Sequence, residues 1–154
     1  MQKKKVIVSN GFGKYPLSDA AAELNKYHIL KLLITGAYPS SLQKKIIKFL
    51  SLDKIYSIKR FYSRSTGLKA MLVNALLFPE LIYFLGMFIK SRLEFFFQSL
   101  KKFQISIKIV EYSFIRYQKL ASKILKSNFS NFKDTDIYLF RAGFGGNSLN
   151  IARE

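Results

Sequence analysis

Apolar positions along the chain fall into three short runs and one long stripe, and their periods set the elements to expect. Lys5-Val-Ile-Val-Ser9 is a short β-branched run that ends in Asn10-Gly11-Phe12-Gly13, so it reads as a buried strand entering a turn. A helix follows. Pro16 lies near its start, Ser18 or Asp19 supplies the cap, and Leu17, Ala21, Leu24 and Tyr27 share a face. Asp19 and Glu23 occupy the early turns, where the helix dipole favours negative charge. Ile29 to Thr35 is the second strand, closed by Gly36 and then Pro39. Strand, helix and strand within about 35 residues is the size of a parallel βαβ unit.

Ser40 or Ser41 then caps a basic amphipathic helix to about Leu50, with Leu42, Ile46, Phe49 and Leu50 inward and Lys44, Lys45 and Lys48 outward. Ile55 to Phe61 fits either an edge strand or a further helix. From Pro79 to about Lys126 an apolar stripe recurs at helical spacing, through Ile82, Leu85, Ile89, Leu93, Phe96, Leu100, Phe103, Ile107, Val110, Phe114, Tyr117, Ala121 and Ile124. One rod of that length would reach roughly 70 Å, against a radius of gyration of about 15 Å for a globular chain of this size. The segment is therefore expected to break, near Phe103 to Ser106, into two packed helices. A polar stretch leads to Asp136-Ile-Tyr-Leu-Phe140, the third strand, which enters Arg141-Ala-Gly-Phe-Gly-Gly146. Asn147 or Ser148 can cap a last helix that is cut short at Glu154. The expectation is one α/β domain over residues 1–154, with a parallel sheet, a long helical insertion over about 79–127 and a truncated C-terminus.

At 154 residues the chain is long enough for one domain with a core, and one domain is the expected count. The absence of cysteine excludes a disulfide scaffold and a thiolate metal site, and a cytoplasmic setting is expected. Lys3 to Lys5 precede only a three-residue apolar run, too little for a signal-peptide core. The most apolar stretch, Leu76 to Ile89, is interrupted by Pro79 and Glu80 and falls short of the roughly 20 residues of a membrane span, so it reads as a buried or interfacial helix. The net charge of +17 sits in the middle: residues 40–133 carry eighteen basic and four acidic side chains. Such a face attracts polyanions, whether nucleic acid, anionic lipid headgroups or a phosphorylated acceptor.

Val8-Ser-Asn-Gly11-Phe12-Gly13 and Phe140-Arg-Ala-Gly143-Phe144-Gly145 resemble each other. In each an apolar strand ends in a glycine-rich loop, and parallel strands of one sheet share a carboxyl edge, so both loops are expected to face one crevice. Glycines there permit positive φ and close backbone approach to a ligand, although plain strand-to-helix turns need glycine for the same reason. Pro16 stands where a third glycine would complete a dinucleotide fingerprint, so no nicotinamide cofactor is expected. Lys14 and Arg141 are placed to neutralise a phosphate, and Tyr38 would lie at the crevice edge. His28, the only histidine, reads as a packing residue, and Asp134 and Asp136 as turn punctuation. No catalytic triad or zinc site can be assembled from one histidine and no cysteine.

Val-Ser-Asn-Gly-Phe-Gly-Lys at 8–14, Ile-Thr-Gly-Ala-Tyr-Pro at 34–39, Phe-Pro-Glu-Leu at 78–81 and Arg-Ala-Gly-Phe-Gly-Gly-Asn-Ser at 141–148 resemble, in that order, the N-terminal domain of bacterial glycosyltransferase family 4 proteins. The resemblance runs along nearly the whole chain. It implies a Rossmann-like sheet with helices on both faces, the acceptor-side half of a two-domain (GT-B) enzyme. A nucleotide-sugar donor would be a substrate, no cofactor is implied, and the acceptor would be a glycan or a lipid-linked sugar. By the same resemblance Gly11, Phe12, Gly13 and Lys14, with Tyr38, Arg141, Gly143, Gly145, Gly146, Asn147 and Ser148, would line the substrate cleft. The motifs such enzymes carry further on have no counterpart before Glu154, so catalysis is expected to need a missing C-terminal domain or second subunit. The lysine-rich helices at 42–48 and 101–126 would rest on the anionic inner face of the membrane.

A second class of function, a basic nucleic-acid- or anionic-membrane-binding protein without activity, follows from the charge and from interleaved Phe, Tyr and Lys between Lys54 and Lys69. No RNP-like, helix-turn-helix or zinc pattern accompanies it, so nucleic acid is not an expected partner. A coiled coil would explain the long stripe and leave the strands and glycine loops unexplained.

Overall fold

A computed structural model of the chain describes residues 4–13, 16–39, 67–96, 100–129 and 137–145, with 44–45, 48–49, 61 and 64 as isolated positions. The first apolar run forms β1 (Val6–Gly11), buried at all six residues. A strand covered on both faces has no solvent side to alternate with, which is why the run is continuously apolar up to Ser9. β2 (Leu30–Thr35) lies beside it in parallel. Between them α1 (Pro16–Lys26) packs Leu17, Ala21 and Leu24 against the sheet. Proline takes the first helical position, where a missing N–H costs nothing, so Ser18 and Asp19 fall inside the first turn rather than at the cap.

The helix stops at Lys26, one residue before Tyr27 could join its inner face, and Tyr27 is 69% exposed. Its end is a Schellman turn. Ile29 N–H donates to Leu24 O at 3.1 Å, His28 N–H donates to Asn25 O at 3.0 Å, and His28 itself has φ 58. His28 is exposed and turns the chain; it does not serve the packing role expected of it.

A strand that the apolar pattern does not show, β3 (Val73–Ala75), pairs in parallel with β2. Three residues are too few to carry a period, and a 3-10 turn (Ala70–Leu72) leads directly into them. β3 takes an edge of the sheet. The other edge candidate, Ile55 to Phe61, lies outside the described residues apart from Phe61, which is helical. Of the expected helix ending near Leu50, positions 44–45 and 48–49 are described and helical, and Phe49, expected inward, is 87% exposed. The proposed cap at Ser40 or Ser41 and the last helix beyond Asn147 lie outside the described residues.

The long stripe becomes two helices, α2 (Leu77–Phe96) and α3 (Leu100–Phe129). Phe103 to Ser106, where the break is expected, lies within α3. Gly86 fixes the register: a Cβ there would lie 2.8 Å from Val110 Cγ2 and 3.0 Å from Ile109 Cγ2, so the helices meet at this level. One level nearer the sheet, Tyr83 meets Phe114 at 5.9 Å between ring centroids. Contacts that move backward along α2 as they move forward along α3 define an antiparallel hairpin. Leu85 and Ile107, which the stripe places inward, are 54% and 39% exposed.

β4 (Ile137–Phe140) pairs in parallel with the free side of β1, giving the order β3-β2-β1-β4. Different helices cover the two faces. Ile7, Leu32 and Ile34 meet Tyr117, Ala121 and Leu125 of α3, whereas Val6, Val8, Leu30 and Leu33 gather with Ala21 of α1. The architecture is Rossmann-like α/β: a small parallel sheet between helices, with the α2–α3 hairpin as a long insertion.

Candidate functional site

β1 and β4 end together. Ser9 pairs with Phe140, and Arg141 N–H donates to Ser9 O at 3.0 Å. β2 and β3 lie on one side of β1 and β4 on the other, so the gap between β1 and β4 is a topological switch point, where open α/β sheets bind ligands beyond the strand ends. Gly11, Gly13 and Gly143 there have φ of 76, 79 and 83, a region that residues with a Cβ enter at a cost. The two glycine turns are neighbours, as a shared carboxyl edge requires.

The aromatic residue in each turn faces inward. Phe12 and Phe144 are 4% and 2% exposed, meet each other at 5.0 Å, and pack on Tyr117 at 5.3 and 5.1 Å and on Phe114 at 5.5 and 4.8 Å. Such ring pairs contribute beyond the area they bury, so the cluster clamps both turns to α3. At Gly11 a Cβ would sit 2.6 Å from the Phe144 ring. The side chain of Phe12 thus belongs to the core, and what it presents to the crevice is backbone.

Arg141 bridges the turns: its Nη1 donates to Phe12 O at 3.3 Å, and its guanidinium lies 5.1 Å from the Phe144 ring centroid. Gln118, which the sequence did not single out, donates to Gly143 O at 3.0 Å. Gly143 is exposed, Gly145 is buried, and Gly13 and Tyr38 are half-buried, with Tyr38 packed against the α1-side cluster. Lys14, Gly146, Asn147 and Ser148 lie outside the described residues.

Beneath the turns, the Tyr117 hydroxyl joins β1 to β2. It donates to Ile34 O at 3.1 Å, which uses its one proton, and it accepts from Gly11 N–H and Ser9 Oγ, each at 3.1 Å. Burial pushes its phenol well above the usual tyrosine range, because the anion would have no water to solvate it.

A buried carboxylate organises the neighbouring strand ends. Glu80, 1% exposed in the first turn of α2, accepts from Gly13 N–H at 3.2 Å, from Ala37 N–H and from Arg64 Nη1. Two backbone donors at the ends of β1 and β2 therefore converge on an anion that the chain itself provides. Gly36 is small for this reason, since a Cβ there would collide with the Glu80 carboxylate. The sequence held a signal for this role, a lone acid in an apolar stretch, which read only as an interruption of a membrane span.

Arg64 and Glu80 also line a cavity of about 490 Å³ beside Ala37, whose other walls among the described residues are Phe61, Leu77, Leu81 and Phe84. The Arg64 guanidinium lies 5.7 Å from the Phe84 ring centroid. Among the described residues no cluster of His, Asp and Glu is placed to hold a metal, and no helix is long and apolar enough to cross a membrane. No family model, curated protein or solved structure matches the chain.

Proposed function

We propose that this chain is the N-terminal, acceptor-binding part of a glycosyltransferase, acting with a nucleotide-sugar donor held chiefly by a second domain or subunit. One observation carries the reading: Ser9 and Phe140 are paired, which brings both glycine turns to one crevice at the switch point. The order of the four segments that resemble family 4 proteins supports it. Because Glu80 already engages the Gly13 N–H, the first turn serves an acceptor by close backbone approach, and Arg141 supplies the fixed cation. On this reading the chain binds and orients, works at the cytoplasmic face of a membrane, and leaves bond making to groups further on.

Titration of the 15N-labelled chain with oligosaccharide and lipid-linked sugar acceptors, and separately with nucleotide sugars, tests the proposal. The expected response to an acceptor is a shift of the Gly11, Gly13, Gly143 and Gly145 amides, weakened severalfold by Arg141→Ala. Sugars that leave all four amides unmoved would sink it.

A second reading, an anionic-membrane-binding protein without activity, is favoured by one feature. Phe78, Leu81, Leu85 and Phe88 of α2 are each more than half exposed in a chain of net charge +17. The same titration separates the two, since such a protein responds to anionic vesicles and not to sugars. A nucleic-acid reading draws no support from the glycine turns, where the rings of Phe12 and Phe144 are buried.

A further inference from the structure

Leu77, Leu81, Phe84 and Phe88 follow one another at helical spacing and are 44%, 56%, 47% and 59% exposed. Phe78 and Leu85 flank them, so six apolar side chains fall within roughly 120° of arc. A core helix would bury such a face. Here the buried side of α2 is another one, carrying Glu80 and Gly86. Three residues of the exposed stripe, Leu77, Leu81 and Phe84, are also walls of the 490 Å³ cavity, so cavity and stripe form one continuous apolar surface. The volume is that of a small-molecule site.

We propose that this cavity takes the hydrocarbon chain of a single anionic amphiphile. The apolar walls select hydrocarbon. The sign of the head follows from charge: residues 40–133 carry eighteen basic and four acidic side chains, and the acid at the cavity, Glu80, is already paired with Arg64. A cationic or zwitterionic head gains less from that field than a phosphate does. Ala37, a wall of the cavity, follows β2 at the same sheet edge as the glycine turns, so a sugar carried on an amphiphile with its head at that wall would lie toward the crevice. Calling the ligand a lipid-linked acceptor rests on the glycosyltransferase reading; the binding of the chain itself does not.

Calorimetric titration of the full chain with octyl and decyl phosphate, below their micelle concentrations, tests the proposal, with inorganic phosphate as the head alone. One saturable site per chain is expected. Decyl phosphate should bind about fifteenfold tighter than octyl phosphate, as each of the two added methylenes contributes roughly fourfold when buried, and inorganic phosphate should not compete. Leu81→Glu should weaken decyl phosphate at least tenfold, whereas Phe88→Ser, outside the cavity, should change it less than threefold. Phe84→Ala gives a second cavity variant should Leu81→Glu not fold, and it should weaken binding in the same direction.

Unsaturable uptake, independence of chain length, or equal losses for Leu81→Glu and Phe88→Ser would overturn the proposal in favour of general adhesion to lipid surfaces. Alkyl phosphate binding without any sugar response at the glycine amides leaves the cavity assignment standing and removes the glycosyltransferase reading. Sugar responses without alkyl phosphate binding do the reverse.

Discussion

Individual residues hold the crevice together through atoms that the sequence does not pair. Glu80 satisfies two backbone donors and Arg64 at once, and breaking a buried pair by removing one partner costs about 3–5 kcal/mol. Glu80→Ala is therefore expected to lose that much in urea unfolding, with Glu80→Gln losing less because its amide oxygen still accepts. Tyr117 adds a pH dependence. Its folded-state phenol is raised, so its contribution is complete below the unfolded value of about 10 and declines as pH rises beyond it, by up to about 1.4 kcal/mol per unit. Comparing wild type with Tyr117→Phe between pH 9 and 11 should show the variant losing less stability per unit, although it starts lower by about 1–3 kcal/mol through the unmet Gly11 N–H and Ser9 hydroxyl. The glycines at 11, 13 and 143 were legible in the sequence because a turn needs them. Glu80 and Tyr117 were not legible as site-builders, since their backbone partners lie 43 to 106 residues away.

At the scale of elements, local signals located β1, β2 and β4 to within one or two residues, set the cap of α1 too late and put the break in the long stripe inside α3. The apolar stripe runs on through Phe103 without a break signal, and the register of the two helices is decided by the contact of Gly86 with Val110. Filling that contact by Gly86→Leu is expected to cost about 1–3 kcal/mol, read as a lower thermal midpoint with the sheet-side contacts otherwise kept. The end of α1 makes the opposite prediction. His28 occupies the left-handed position of a Schellman turn with a Cβ that disfavours it, so His28→Gly should raise stability by about 0.5–1 kcal/mol in denaturant unfolding. β3 escaped detection because a three-residue strand is recruited by the β2 edge rather than by its own period.

Across the whole molecule, the sheet has one well-covered centre and an apolar edge. Ile137 and Leu139 pair in register with Val6 and Val8 and so share their face, yet they are 42% and 38% exposed. An exposed apolar edge strand invites pairing with another chain. Leu139→Lys is expected to reduce self-association in sedimentation experiments while changing unfolding stability by no more than about 0.5 kcal/mol. A larger loss of stability would mean that this face is covered within the chain.

By itself the sequence determined what short-range physics controls: β-branched runs that favour buried strands, a proline that opens α1, helical periodicity from Pro79 to about Lys126, and glycines where φ turns positive. From these the parallel α/β class and the adjacency of two glycine turns could be inferred. Tertiary structure alone decided that Phe12 and Phe144 turn inward, that Glu80 fills the donors at two strand ends, and that α2 leaves Leu77, Leu81, Phe84 and Phe88 toward solvent. The reason is the range of the interaction. A helix with apolar residues around most of its circumference has no sequence-encoded inner face, and which side is buried depends on where Gly86 lets α3 approach.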